Sequence, residues 1–179
     1  MILRFAGLLP ACVVAGATWA HPHEDIDQQV LLSVGTGEVI VQIRIAPSYL
    51  DGAAIFAHID ADGDGLVSVS EAEDFGSDVM AHATLSVDGR RFDFDAPEVS
   101  VPAREWVAAG VGLIEIDAAA AINIAAPSRH RVVFGMGYDD FAHDWFIQPF
   151  YYRELMLALP EQSIGRSSSG DRIEIALAP

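Results

Sequence analysis

The sequence of 179 residues contains a single cysteine, Cys12, and no lysine. One cysteine cannot form a disulfide within the chain, so the fold must be stabilised by other means.

The ten basic residues are all arginines, and with 26 acidic residues they give a formal net charge of -16. Such a charge excludes nucleic acid and anionic membranes as expected partners, because their phosphates would be repelled. An acidic surface instead concentrates cations.

Sequence signatures of common enzymes are also missing. The chain has no G-x-S-x-G nucleophile elbow, no H-E-x-x-H zinc helix and no glycine loop that would bind phosphate. Acidic pairs such as Asp139 and Asp140 carry little meaning in so acidic a chain. We therefore expect a protein that is not an enzyme.

The first twenty residues have the pattern of a secretory signal peptide. Arg4 supplies a short basic segment, residues 5–17 are apolar, and Thr18-Trp19-Ala20 resembles a cleavage site. This predicts a signal peptide over residues 1–20 and a mature protein, residues 21–179, that is periplasmic or secreted. A retained membrane anchor is disfavoured because a spanning helix needs about 20 apolar residues. The other alternative is a lipoprotein attached through Cys12. The mature chain contains no predicted transmembrane span.

Residues 60–71 fit the pattern D-x-[DN]-x-[DN]-G-x5-E, which is the calcium loop of an EF-hand, without a mismatch. Gly65 is the sixth loop residue, where a sharp turn needs a backbone conformation that other residues resist. Glu71 closes the loop, and its length permits the bidentate contact that suits Ca²⁺ better than Mg²⁺. The predicted Ca²⁺ ligands are Asp60, Asp62, Asp64, the carbonyl oxygen of Leu66, Ser68 (directly or through water) and Glu71.

Both flanks of this loop have the pattern of amphipathic helices. Two capping-box patterns mark the predicted helix starts, Ser48 with Asp51 before the loop and Ser68 with Glu71 at its end. Gly52 slightly disfavours the first helix, because a glycine inside a helix is about 1 kcal/mol less stable than an alanine. The apolar positions at helical spacing are Phe56 and Ile59 before the loop and Phe75 and Val79 after it.

A single EF-hand raises the question of what its eighth loop residue contacts. EF-hands usually occur in pairs that join through this residue, and no second loop is present in the sequence. Val67 is the eighth residue here, so we expect its contact to come from the rest of the domain.

The remaining chain has the period-two alternation of half-buried strands. Asp88-Gly89 between two alternating runs predicts a β-hairpin. The alanines at 118–121 could extend as a helix, which Asn123 and Pro127 would limit. Many short strands with turns between them predict a mainly β fold, an antiparallel, Ig-like β-sandwich. The helix-loop-helix, a single EF-hand, is then an insertion at residues 48–82 between the second and third strands. Strands are predicted within 21–46, on both sides of a turn at 35–37, and within 84–94, 99–101, 111–118, 130–138 and 173–177.

Histidines offer a second kind of metal chemistry. Cleavage after Ala20 would place a free α-amine beside His21 and His23, and imidazole suits Ni²⁺ and Cu²⁺. The alternative is a frayed polar N-terminus that binds no metal. His58 and His82 are expected to be exposed on the helices.

Residues 43–94 resemble the extracytoplasmic domain that precedes the membrane helices of some bacterial nickel/cobalt transporters and efflux permeases. The resemblance is carried by Tyr49-Leu-Asp-Gly-Ala-Ala-Ile-Phe56, the loop at 60–71, Leu85-Ser-Val-Asp-Gly89 and Tyr138-Asp-Asp-Phe141. His21-Pro22-His23 is similar to uncharacterised bacterial periplasmic proteins. The resemblance implies a periplasmic β-rich domain with one EF-hand, associated with a membrane metal transporter. The chain lacks the family's membrane helices, so transport itself is not implied. The alternative function is a periplasmic carrier of Ni, Co or Cu that uses His21 and His23.

Overall fold

The computed structural model describes residues 25–179. The predicted signal peptide, His21 and His23 lie outside the described residues. The described strands are β1 (Asp27–Val34), β2 (Glu38–Ala46), β3 (Ala83–Val87), β4 (Arg90–Phe92), β5 (Glu98–Ser100), β6 (Ile114–Ala121), β7 (His130–Met136), β8 (Phe146–Tyr151), β9 (Glu161–Arg166) and β10 (Arg172–Ala178). The described helices are α1 (Gly52–Ile59), α2 (Val69–Ala81), α3 (Arg104–Ala108) and α4 (Arg153–Ala158).

The strands form two five-stranded sheets, in the orders β5-β6-β2-β1-β8 and β4-β3-β7-β10-β9. Every pair is antiparallel except β1 with β8, which run parallel. The predicted mainly β fold is thus confirmed, and a β-sandwich is consistent with the two sheets. Its Ig-like character stays a prediction.

One hydrophobic core takes side chains from both sheets and from the helices. In β2 every second residue, from Val39 to Ile45, is completely buried, and its neighbours are half-buried. This alternation follows from the pleat, which turns successive side chains to opposite faces. The Asp88-Gly89 hairpin is confirmed, since both residues have positive φ angles, 54° and 80°, between β3 and β4.

The helical pair α1 and α2 lies between β2 and β3, as predicted, and these strands belong to different sheets. The segment therefore carries the chain from one sheet to the other. A Cβ on Gly52 would lie 2.0 Å from the carbonyl oxygen of Val107. The close approach of α1 to α3 therefore requires glycine at this position. A Cβ on Gly76 would lie 2.3 Å from Cγ2 of Val99, which places α2 against β5. These two contacts hold α1 against α3 and α2 against the edge strand of the first sheet.

The alanines at 118–121 continue the predicted strand, so the alternative of a helix for this run is wrong. They belong to β6, which pairs with β2 in the register Val41 with Ala118 and Val39 with Ala120. Ala118 and Ala120 are buried. Pairing with β2 supplies backbone hydrogen bonds that a four-residue alanine helix could not match, because short helices are barely stable alone.

The first helix begins later than the capping pattern predicts. Asp51 is its N-cap, and the Ser48 hydroxyl accepts the N–H groups of Leu50 and Asp51 at 3.2 and 3.0 Å and donates to the Asp51 carboxylate at 2.6 Å. Ser48 thus closes a turn ahead of α1. Among residues 25–179, no helix combines the length and the apolar character needed to cross a membrane.

Candidate metal centre

The loop between α1 and α2 is held at both ends by helix caps. Asp60 is the C-cap of α1, where its N–H donates to the carbonyl of Phe56 at 2.9 Å. Ser68 is the N-cap of α2 and forms the predicted capping box with Glu71. The first and last residues of the loop motif are therefore placed by the helices that the flanking sequence encodes.

Three carboxylates converge in this loop. Asp60, Asp62 and Glu71 each offer an oxygen, and the three oxygens lie within 4.8 Å of one another. Among the described residues this is the only group of three or more acidic, histidine or cysteine side chains gathered so closely. The cluster could hold a metal ion, since three carboxylate oxygens suit a hard divalent cation.

Hydrogen bonds within the loop curl the backbone around this point. The N–H of Gly65 donates to Oδ2 of Asp60 at 2.9 Å, and that of Asp64 donates to Oδ1 of Asp62 at 3.0 Å. The N–H of Leu66 donates to Oδ1 of Asp64 at 2.8 Å. Each aspartate thus uses one oxygen to hold the backbone, which leaves its second oxygen for another ligand.

Oδ1 of Asp60 is buried and has no hydrogen-bond partner among the described residues. The residue is only 7% exposed, whereas Asp62 lies on the surface. A buried carboxylate oxygen without a partner is costly unless a cation or donor neutralises it. A cation bound beside Asp62 and Glu71 would supply that neutralisation, so the donor set fits a metal ion.

Glu71 is oriented by hydrogen bonds within the loop. Its Oε2 accepts the N–H and the hydroxyl of Ser68, each at 2.8 Å, and its Oε1 accepts the N–H of Asp62 at 3.2 Å. These bonds, first the backbone N–H of Ser68, lower the pKa of Glu71 below its ordinary value because they stabilise the carboxylate. The glutamate is held ionised and points toward the two aspartates.

The other predicted ligands lie around this cluster. Asp64 is not one of the three converging carboxylates. The side chain of Leu66 is 71% exposed, as expected for a residue that would offer only its carbonyl oxygen. Ser68 is engaged with Glu71 through its hydroxyl. His21 and His23 lie outside the described residues.

The glycines of the loop adopt conformations that other residues avoid. Gly65 has a φ of 88°, in the left-handed region expected of the sixth loop position, and Gly63 has a φ of 72°. Space above Gly65 is limited by Arg104, whose Nη1 lies 3.6 Å from where a Cβ would be. The guanidinium group of Arg104, the first residue of α3, therefore lies beside the acidic loop.

Val67 makes its contact within the domain, as expected from the absence of a second loop motif in the sequence. Its side chain is half-buried and packs against the hydrophobic core. It also lines a cleft of about 470 Å³ together with Val99 and Val101, which flank Ser100 at the end of β5. Val67 belongs to no strand, so the contact is made by its side chain and not by a ladder of backbone bonds.

Sequence reasoning missed two elements that support the loop. The sequence analysis assigns no element to the helix α3, which carries Arg104, although Pro102 before it and Glu105 in its first turn are helix-start signals. Phe141 stacks on Phe75 of α2 at 6.0 Å between ring centroids and meets Tyr138 edge-on at 5.5 Å. No local pattern links Phe75 to Phe141, because the two residues are distant in sequence.

Histidines in the described chain do not form a metal site. His58 and His82 are exposed, as predicted. His130 is occupied by Asp88 and by the carbonyl of Ala125, at 2.7 and 2.9 Å. His143 lies 3.8 Å from Asp139.

Comparison with known proteins returned no match, either to protein-family models or to curated proteins.

Proposed function

We propose that this chain is a non-enzymatic calcium-binding module, in which Ca²⁺ stabilises the helix-loop-helix that joins the two sheets. The observation that carries the proposal is the convergence of carboxylate oxygens from Asp60, Asp62 and Glu71 within 4.8 Å, together with the burial of Oδ1 of Asp60, which has no hydrogen-bond partner among the described residues. An oxygen buried without a donor, beside two further carboxylates, is the environment that a bound cation compensates.

The loop sequence favours Ca²⁺ over other divalent ions. Its donors are oxygens and include no cysteine or histidine, which argues against zinc, nickel and copper. Six ligand positions in a flexible loop suit the larger shell of Ca²⁺, while Mg²⁺ demands a tighter octahedron and keeps its waters. The terminal glutamate, Glu71, has the reach for a bidentate contact.

A structural role follows from the position of the loop. The segment from β2 to β3 joins the two sheets, and α1 and α2 contact α3 and β5 through Gly52 and Gly76. An ion that fixes the angle between α1 and α2 would therefore hold this connection in place. Extracellular EF-hand modules bind Ca²⁺ with dissociation constants of about 10⁻⁴ to 10⁻³ M, which suits a constitutively filled structural site.

Isothermal titration calorimetry with Ca²⁺ tests the proposal on three proteins. The parent is expected to bind one ion with a Kd of about 10⁻⁴ to 10⁻³ M. Glu71→Gln removes one charge from the cluster and should weaken binding at least tenfold. Glu73→Gln, an exposed change on the same helix, controls for the loss of one negative charge from the protein. A parent that takes up no Ca²⁺, or a Glu71→Gln variant that binds like the parent, would contradict the proposal.

We further propose that the module acts outside the cytoplasm, after removal of residues 1–20, and contacts a membrane metal transporter. The support is the signal-peptide pattern and the resemblance of residues 43–94 to transporter-associated domains. N-terminal sequencing of the exported protein should begin at His21. Association with membranes that contain the transporter should require Ca²⁺ and should be lost in Glu71→Gln; association that persists in that variant would separate partner binding from the metal.

A further inference from the structure

A second acidic cleft, of about 640 Å³, lies beside the start of β1 and is separate from the calcium loop. Its walls come from three parts of the chain: the residues around the start of β1, Asp51 ahead of α1, and the segment from Phe141 to Phe146. Asp25, Asp51 and Asp144 bring carboxylates to it, and no arginine of the described chain lines it. The volume is in the range of clefts that hold small organic ligands.

Gln28 in the wall of this cleft has an unsatisfied oxygen. Only 4% of the residue is exposed, and its Nε2 donates to the carbonyls of Ala142 and Asp144 at 2.8 and 3.3 Å. Both partners are carbonyl oxygens, which can only accept hydrogen bonds. The amide nitrogen of Gln28 must therefore face them, and this fixes the orientation of the carboxamide. Its Oε1 is buried and has no hydrogen-bond partner among residues 25–179. A buried amide oxygen in this state is stabilised by a donor, which an ordered water or a molecule bound in the cleft supplies.

The cleft combines this acceptor with negative charge and apolar walls. Phe141 and the buried Trp145 contribute aromatic surface, and the Trp145 indole is fixed because its Nε1 donates to the carbonyl of Tyr138 at 2.8 Å. A ligand that matches all three features carries N–H donors, a positive charge and an apolar chain. A metal ion matches less well, because the carboxylates of this cleft form no close cluster of three.

We propose that this cleft binds an organic cation, an alkylguanidinium or alkylammonium group, whose N–H donates to Oε1 of Gln28. The carboxylates of Asp25 and Asp144 balance its charge, and its alkyl chain lies against Phe141 and Trp145. The group belongs either to a free small amine or to an arginine or lysine side chain of another protein, since the chemistry that the cleft recognises is the same.

The test is a titration of the full chain, monitored by calorimetry, with n-butylguanidinium and with n-butylurea. The two probes have nearly the same shape and differ in charge. Butylguanidinium is expected to bind at least tenfold more tightly than butylurea. Asp25→Asn and Asp144→Asn are surface changes that should each weaken its binding several-fold, while Asp93→Asn, exposed and away from the cleft, should not. Gln28→Met, which removes the acceptor, should abolish binding.

Equal binding of the two probes, or equal binding by the parent, Asp25→Asn and Asp144→Asn, would overturn the proposal. So would the absence of binding at about 10 mM probe, where even millimolar affinities give a signal. If Gln28→Met fails to fold, the affinities of Asp25→Asn and Asp144→Asn still decide whether the cleft binds the cation. A short peptide with a central arginine identifies the source: tighter binding than butylguanidinium supports a protein side chain, and weaker binding supports a free amine. Loss of Ca²⁺ binding in Glu71→Gln should leave this site unchanged.

Discussion

The carboxylate of Glu71 accepts two hydrogen bonds from Ser68, one from the backbone N–H and one from the hydroxyl, each at 2.8 Å. The Ser68 hydroxyl in turn accepts the N–H of Glu71 at 3.3 Å. This capping box starts α2 and also holds the glutamate beside Asp60 and Asp62. One pair of residues thus serves both the helix and the proposed metal centre.

Replacing Ser68 with alanine should therefore weaken two properties together. Loss of the N-cap is expected to lower the free energy of unfolding by about 0.5–2 kcal/mol, even without metal. Ca²⁺ affinity should also fall, because Glu71 loses a bond that orients it. Urea unfolding and Ca²⁺ calorimetry measure the two effects. Ser70→Ala, an exposed change two residues along, is the matched control. If Ca²⁺ affinity is unaffected in Ser68→Ala, the capping box does not position the ligand.

Asp60→Asn should have opposite consequences with and without Ca²⁺. Asparagine can still accept the N–H of Gly65 but carries no buried charge, so the metal-free variant should be as stable as the parent or more stable by up to about 1 kcal/mol. At a Ca²⁺ concentration of about 100 times Kd, the parent gains about 2.7 kcal/mol and the variant should gain little.

Thermal unfolding of both proteins in EDTA and in Ca²⁺ measures this crossover. A gain of that size raises the Tm of a domain of this length by about 5–10 °C. Asp74→Asn, an exposed change on α2, controls for the loss of one charge. A metal-free Asp60→Asn protein that is far less stable than the parent would show that Asp60 supports the fold without an ion.

Gly52→Ala should destabilise the protein although it improves helix propensity. The added Cβ would lie 2.0 Å from the carbonyl oxygen of Val107, so α1 and α3 would have to separate. We expect a net loss of about 1–3 kcal/mol, because overpacking exceeds the gain of about 1 kcal/mol that alanine brings to a helix. Urea unfolding provides the measurement. For comparison, Ala54→Gly at an exposed position of α1 should cost only about 0.5–1 kcal/mol. A more stable Gly52→Ala protein would mean that the two helices can separate without cost.

Stability should fall as the pH rises above about 6.5, through the pair of His130 and Asp88. The Ala125 carbonyl and the Asp88 carboxylate accept from the two ring nitrogens and raise the pKa of His130 above its ordinary value of 6.5. Because the folded pKa is raised, this contribution is complete below 6.5 and is lost as the pH passes the folded pKa. The bond from His130 also lowers the pKa of Asp88 below its ordinary value of 3.8. The contribution of Asp88 to stability is therefore lost only in acid, as the pH falls from 3.8 through the lowered pKa.

Two measurements test this pH dependence: NMR titration of the His130 ring and urea unfolding at about pH 5.5 and 8.5. Asp88→Asn keeps a residue that tolerates the φ of 54° in the hairpin turn but removes the charge. Its His130 should titrate at a lower pH than in the parent, and its stability should change less between the two conditions. An unchanged His130 pKa in Asp88→Asn would show that the carboxylate does not stabilise the imidazolium.

The local elements were predictable where one short pattern specifies them. The capping box at Ser68, the turn at Asp88-Gly89 and the alternation of β2 depend on neighbouring residues, and the structure confirms them. Predictions failed where a distant partner decides the outcome. The alanines at 118–121 are a strand because β2 pairs with them, and β8 was not predicted because its partner, β1, lies more than a hundred residues away.

The sequence alone determined the chemistry of the acidic loop: its oxygens, its glycine at position 65 and its closing glutamate follow from a pattern of twelve consecutive residues. The tertiary structure decided what that loop is attached to. It showed that the helical pair joins two different sheets, that Oδ1 of Asp60 is buried without a partner, and that Val67 packs against the core. Burial and packing depend on segments far apart in the chain, so a local pattern can predict the ligands of a metal but not the buried oxygen whose charge a metal would neutralise.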